Sequence, residues 1–259
     1  MMNKPKILMF DIETTPNLAT IWSTGKQFVN YESIWKEKKI SCICWKWLGE
    51  SKIYSLSMNL KKHNLMEYDD DADKEMLVKF SEIYNKADVA VGHNAIKFDK
   101  GTITARLSKH GLPPISPTII DDTWRISCPI NFNSHKLDYL ARYFKVGTKA
   151  AHSYSLWLKV MRSDSKALND TVKYCKKDVI LLEKVYKKLL PYVKTKFNHA
   201  IYQQDTRVCP SCSGKLKISS KRMSVGLGMR VQFSCNSCGK HVTIGENLIK
   251  KGSTYPRQV

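Results

Sequence analysis

The chain has 259 residues, with 43 Lys and Arg against 23 Asp and Glu, for a formal net charge of +20 at pH 7. Its hydrophobic fraction of 42% suffices for a buried core and excludes a disordered polymer, and no apolar run approaches the ~20 residues of a membrane-spanning helix. Such a charge makes a polyanion the expected partner, nucleic acid being the commonest, although a Lys-rich solvated surface would give the same total.

In chain order, Lys6–Ile12 is a short apolar run of strand length. The apolar stretch at the N-terminus is too short for a secretory signal and meets Asp11 at once, so secretion is not expected. Lys39–Leu48 and Lys52–Ser57 read as a hairpin turning at Gly49-Glu50-Ser51. Asp73–Asn85 has helical spacing in Met76, Leu77, Phe80, Ile83 and Tyr84; Ala87–Gly92 reads as a buried strand. Lys100–His110 is helical and stops at Gly111, with Pro113 and Pro114 behind it. Ser134 is expected to open a helix to about Phe144, and Asp170 a longer one to about Leu190. Strands first, then helices interspersed with strands, imply an α/β domain with a mixed sheet.

The chain divides in two. Residues 196–259 hold 11 Lys and Arg but only Asp205 and Glu246 as acids. Cys42, Cys44, Cys128 and Cys175 are scattered through the first part, whereas Cys209, Cys212, Cys235 and Cys238 form two tight pairs in the second. The expected division is 1–195 for the main domain, 196–206 for a linker, 207–249 for a cysteine-bearing domain and 250–259 for a basic tail.

Asp11 and Glu13 lie two residues apart at the end of the first strand, so their carboxylates project from one face. Acids there repel each other and resist burial unless a cation sits between them, and such hard oxygen ligands suit Mg²⁺ or Mn²⁺. Standing alone, the pair would be read as a solvated strand end or a helix cap involving Thr14 and Thr15.

The pair has company. Phe10-Asp-Ile-Glu-Thr14 resembles the first motif of the DEDD 3′→5′ exonucleases. Asn94-Ala-Ile-Lys-Phe98-Asp99 resembles the second, and Tyr174-Cys-Lys-Lys-Asp178 the third in its tyrosine version. The histidine version would carry its base at the position of Lys173. The segments at Asp122-Thr123 and His135–Ala141 also look like the family's intervening stretches, so the resemblance covers about 6 to 192. It is nearest to the proofreading domain of family B DNA polymerases, and it implies a ribonuclease H-like fold in a stand-alone nuclease.

Hydrolysing a phosphodiester in line needs an activated water on one side and charge relief at the leaving 3′ oxygen on the other, which two divalent ions can provide. The resemblance implies that Asp11 bridges two Mg²⁺ or Mn²⁺ ions, that Glu13 and Asp178 support the water-side ion, and that Asp99 acts mainly on the other. Tyr174 lies one turn from Asp178 on a helix, and its hydroxyl would orient the water rather than take its proton. Thr14, Asn94 and Phe98 are the substrate-binding candidates.

Other residues read more plainly. His93 is a polar strand end, Asp122 is structural rather than the second-motif acid, and Cys42 and Cys44 are buried thiols on one strand face. Core packing is the default for most of Trp22, Trp35, Trp45 and Trp47, with base stacking the alternative.

Cys209-Pro-Ser-Cys212 and Cys235-Asn-Ser-Cys238, separated by 22 residues, resemble a zinc ribbon in which four thiolates hold one structural Zn²⁺. Ser213-Gly214 and Gly239 suit the knuckle turns. The scattered cysteines argue for a reducing, intracellular compartment and against disulfides. Lys215, Lys217, Lys221, Arg222 and Arg230, with Phe233 among them, suggest a surface that grips nucleic acid; docking to a polymerase or repair protein is the alternative.

The expected activity is therefore metal-dependent 3′→5′ exonucleolysis of single-stranded or frayed DNA ends, releasing nucleoside 5′-monophosphates. An exoribonuclease and a catalytically silent nucleic-acid-binding adaptor are the alternatives; the adaptor predicts loss of an acid, and all four acids are present.

Overall fold

The computed structural model describes residues 5–60, 71–149, 153–226 and 228–250. First come β1 (Ile7–Thr14), a small ribbon of β2 (Leu18–Ala19) and β3 (Ile34–Lys36), then β4 (Ile40–Trp47) and β5 (Tyr54–Ser57). Next, α1 (Lys74–Tyr84) leads to β6 (Val89–Gly92), and α2 (Asp99–Lys109) to β7 (Ile119–Asp122). Four helices follow: α3 (Thr123–Ser127), α4 (Leu137–Tyr143), α5 (Ser155–Met161) and α6 (Ser165–Leu189). After α7 (His199–Tyr202) come β8 (Leu216–Val225), β9 (Gly228–Cys235), β10 (His241–Gly245) and α8 (Glu246–Lys250). The fold is α/β, with a mixed main sheet flanked by helices and a second, smaller sheet.

The main sheet has the order β5-β4-β1-β6-β7, so β1 is its central strand, antiparallel to β4 and parallel to β6. A strand covered on both faces must be apolar at both parities, and the run Ile-Leu-Met-Phe meets that need. Leu8, Phe10 and Ile12 pack with Leu77, Phe80 and Tyr84 of α1 and with Ile103 and Leu107 of α2. Ile7 and Met9 pack on the other face with Cys175, Val179, Leu182 and Val185 of α6 and with Leu140 of α4. Asp11 and Glu13 continue this second parity, so the strand's alternation aims both acids at the α6 side. The expected hairpin is β4 and β5, with Trp45 opposite Tyr54.

Two helix starts differ from expectation. The long helix begins at Ser165 rather than Asp170, because the Asp164 side chain accepts hydrogen bonds from Lys166 N and Ala167 N at 2.9 and 3.0 Å. Asp170 instead pairs with Lys173 one turn on, at 2.9 Å. The helix expected from Ser134 begins at Leu137, since Ser134 Oγ accepts from Lys136 N in a turn that precedes it.

In the smaller sheet, of order β10-β9-β8, the buried core is Val231, Phe233 and Ile244. Phe233 is thus an interior residue, not a platform for bases. The smaller sheet leans on the end of α6. The Lys240 ammonium donates to the carbonyls of Leu190 (3.5 Å) and Val193 and to Ser211 Oγ (2.8 Å). A cation is favourable at a helix C-terminus, where carbonyls lack partners. Residues 196–206 also make interior contacts: Lys196 N donates to buried Asp121, and Phe197, His199 and Ala200 are buried. The expected basic tail beyond Lys250 lies outside the described residues. Among the described residues, no helix is long and apolar enough to cross a membrane.

Candidate active site

The central strand, the start of α2 and the middle of α6 bring four acids together. Asp11, Glu13 and Asp178 can place one oxygen each within 4.8 Å of one another. Asp99, the first residue of α2, accepts a hydrogen bond from Ile12 N at 3.0 Å, which holds its carboxylate against the strand between Asp11 and Glu13. Across β1 from Asp11 and Glu13 stand Cys44 and Cys42 of β4, with Cys175 of α6 beside them. Small thiols therefore floor the site and keep water from its back.

Burial and mutual repulsion set the protonation of the acids. Burial, then the charges of Asp99, Glu13 and Asp178, push the Asp11 carboxyl well above its usual range. Burial raises Glu13 to about 7 against the pull of the Lys149 ammonium, and it raises Asp99 to about 7 although Ile12 N favours the charged form. A site of four acids with a single close ammonium among the described residues has the hard-oxygen donor set that divalent cations take. The residues fit such ions.

A pH prediction follows. A carboxyl raised in the folded state binds its proton more tightly there than in the unfolded chain, so its protonation favours folding. Without divalent ions, stability should fall as pH climbs from about 4 through 7, by several kcal/mol for Glu13 and Asp99 together. Thermal midpoints at pH 5 and pH 8, with and without added Mg²⁺, check this. Mg²⁺ should restore the midpoint at pH 8, and a midpoint insensitive to both would rule it out.

Tyr174 and Asp178 share one face of α6, and both are buried. Lys149 reaches in from the segment after α4. Its ammonium lies 3.0 Å from Asp178 Oδ2 and 5.1 Å from the centre of the Tyr174 ring, and it donates to the Tyr174 hydroxyl. Trp157 of α5 donates from Nε1 to Glu13 Oε2 at 3.3 Å. Sequence reasoning missed both residues. Lys149 is one basic residue among 43, and Trp157 sits in an apolar run that reads as core.

Beside the acids opens a groove of about 760 Å³, lined by Lys38, Lys97, Arg125, Lys136 and Lys149 together with Asn94, Phe98 and Trp124. Its floor is built by Asp122, whose carboxylate accepts from the backbone N–H of Asn94 (2.8 Å), Ile96 (3.1 Å) and Trp124 (3.1 Å). Asn94 adopts φ 60°, and a Cβ on Gly92 would come within 2.5 Å of Ala95 Cβ, so the turn needs a glycine at that place. Phe98 is partly exposed beneath the Lys38 ammonium, 5.6 Å from its ring centre. Thr14 ends β1 beside these residues, half-buried and paired with Ile40. The Thr123 hydroxyl donates to Gly92 O at 3.1 Å and so accepts from His93 Nδ1 at 2.8 Å; burial lowers the His93 pKa to about 4. His93 is a neutral prop of the turn.

The second cysteine cluster has sulfur separations of 3.8 Å for Cys209–Cys238 and 3.5 Å for Cys212–Cys235, and all four sulfurs lie within 4.8 Å of one another. A tetrahedron with Zn–S bonds of about 2.3 Å has edges of about 3.8 Å, so the set fits zinc. Ser213 and Gly239 take positive φ in the two knuckles, and Gly214 lies so close to Ser237 and Cys235 that a Cβ would clash with both.

A family model of the RNase H superfamily matches residues 49–190, more than half of the chain. The match includes Asp99, Tyr174 and Asp178 and begins beyond Asp11 and Glu13. The fold is similar to that of a family B DNA polymerase from the hyperthermophilic archaeon Pyrobaculum calidifontis, with a TM-score of 0.51 and 17% identity. That similarity covers 78% of this chain and 26% of the polymerase, so the chain spans about a quarter of its length. No curated protein matches the sequence.

Proposed function

Because the chain belongs to the RNase H superfamily, we propose that its four-acid site hydrolyses terminal phosphodiester bonds of DNA from the 3′ end, releasing nucleoside 5′-monophosphates. The observation that carries this reading is the convergence of Asp11, Glu13, Asp99 and Asp178 on one partly buried locus beside a basic groove. The 3′→5′ polarity rests on the resemblance of the three motifs. When bound by these carboxylates, two Mg²⁺ or Mn²⁺ ions would acidify a water and neutralise charge at the scissile phosphate.

The chain's own groups do the rest. Burial holds the Tyr174 hydroxyl above its usual pKa, so at neutral pH it stays protonated and can position a water by a hydrogen bond but cannot act as a base. Trp157 fixes the rotamer of Glu13. Asn94 and Phe98, which line the groove, and Thr14 at the end of β1 would hold the terminal nucleotide, with the Phe98 ring available to its base. Lys149 balances Asp178 in the resting site and, from the groove lining, would meet an incoming phosphate. The Cys209, Cys212, Cys235 and Cys238 set would hold one structural Zn²⁺, and the basic strands around it would contact nucleic acid or a partner protein.

Lys149→Ala should lower kcat/KM by about ten- to a hundredfold, with partial recovery in Lys149→Arg, because orientation and charge at the carboxylates are both lost. Steady-state digestion of a labelled oligonucleotide measures it; unchanged kcat/KM would remove Lys149 from the mechanism. The polarity is tested with 3′-labelled and 5′-labelled single-stranded DNA and RNA in Mg²⁺ or Mn²⁺. The 3′ label should leave at once as a mononucleotide while the 5′-labelled strand shortens step by step. Prompt loss of the 5′ label, or internal fragments, would overturn the reading, and preferential digestion of the RNA would reassign the substrate.

A further inference from the structure

We infer that the hairpin spanning 18–36 is a stacking platform for the bases of a single strand whose 3′ end occupies the carboxylate site. This rests on the nuclease reading and adds to it a place for the rest of the substrate. Four aromatic side chains stand out from this short segment. Trp22 and Phe28 are fully exposed, Tyr31 is 78% exposed and Trp35 is 53% exposed. Core packing, the default for a tryptophan, holds for Trp45 and half-buried Trp47 but fails for Trp22 and Trp35. Large rings left in water cost hydrophobic free energy unless they have a use.

The hairpin is rooted in the catalytic strand. It leaves β1 a few residues after Glu13 and is stitched back at its base. Thr15 N donates to Lys39 O and Lys39 N to Thr15 Oγ1, both at 2.9 Å, and Lys38 N donates to Asn17 Oδ1 at 2.6 Å. Thr20 N donates to Ser33 O at 3.0 Å further out, and Gln27 Nε2 to Ser23 O at 2.6 Å at the tip. The platform therefore continues past the C-terminal end of β1, the end of the strand that carries Asp11 and Glu13. Trp22 is nine residues from Glu13, at most about 30 Å of extended chain.

Charge points to the same occupant. Lys38 belongs to the hairpin's base and also lines the groove, with its ammonium over Phe98. Exposed Lys26 sits at the tip, while buried Lys36 holds its ammonium 5.5 Å from the Trp35 ring centre. Of the two acids in this stretch, Glu37 is paired with Lys109 at 2.9 Å, and Glu32 is engaged by Asn30 and Tyr31 within the turn. The rings stand among hydroxyls, amides and lysines as well as the exposed Ile21 and Val29, and that mixture suits successive bases and phosphates better than the contiguous apolar centre of a protein interface. The basic groove and the aromatic hairpin then form one path leading from the acids.

The test is binding by the full chain, in an Asp11→Ala background so that nothing is digested, of fluorescently labelled single-stranded 3-mer and 20-mer DNA. The 20-mer should bind much more tightly than the 3-mer. Adding Trp22→Ala and Phe28→Ala should weaken 20-mer binding by about thirtyfold or more, two stacked bases' worth, with an unchanged thermal midpoint because both rings are exposed. Trp22→Phe should restore part of the loss, since any ring can stack. If the 20-mer binds equally well to the doubly substituted chain, the platform is refuted while the nuclease reading stands. If neither oligonucleotide binds the starting protein, the nuclease reading fails with it. If the substitutions instead dissolve a dimer seen by light scattering and leave DNA affinity intact, the hairpin is a surface for a second copy and the inference is overturned.

Discussion

Asp11→Ala should reduce release of a 3′-terminal nucleotide by about a thousandfold or more, the scale expected when a group acting chiefly on the transition state is removed. The same change should raise the thermal midpoint of the metal-free protein. Asp11 sits on the central strand, where burial opposes its ionisation most and Asp99, Glu13 and Asp178 oppose it further. Deleting that carboxyl relieves repulsion on its three neighbours and leaves only a small void beside Cys175, whose sulfur lies 3.6 Å from Asp11 Oδ2. Activity and stability should therefore move in opposite directions, which a merely structural residue would not produce. Activity that persists in Asp11→Ala, or that survives removal of divalent ions, would end the two-ion mechanism.

Loss of metal from the cysteine cluster should unfold the second sheet and leave the first intact. Three buried apolar side chains, Val231, Phe233 and Ile244, cannot offset the entropy of ordering three strands and their turns. A structural zinc held by the four thiolates would contribute on the order of 10–16 kcal/mol of apparent binding free energy, and that would become folding free energy. Elemental analysis should find about one zinc per chain. Cys209→Ser should leave the ribbon unfolded at room temperature, with a single melting transition from the α/β domain. Full native strand content in a zinc-free protein would refute the assignment. The α/β domain should lose only the small contribution of Lys240 at the end of α6, roughly 1 kcal/mol or less.

What could be read from residues alone was local or carried by motif. Asp11, Glu13, Asp99, Tyr174 and Asp178 were legible because short words of sequence hold them at fixed offsets on a strand end, a helix start and a helix face. Asp99 and Ile12 meet across 87 positions through a single hydrogen bond, and nothing in either word announces that bond. Lys149 and Trp157 were illegible for a related reason: neither has a periodic neighbour, and each gains meaning only from the element it faces. The start of α6 was misplaced because Asp164 and Asp170 are equally good caps on paper, and the burial of Ala167 and Leu168 decides between them. The hairpin tryptophans show the opposite failure, where an average tendency to be buried hid the particular case.

The lysine that joins the two sheets bears on how such a chain can change by descent. Lys240 belongs to the cysteine-bearing module, yet its ammonium completes the end of a helix whose middle carries Tyr174 and Asp178. A ribbon without a cation at that place would leave the carbonyls at the end of α6 open, at the modest cost of one such contact. Exchange of either module would therefore be felt first at this seam, where a single side chain serves both.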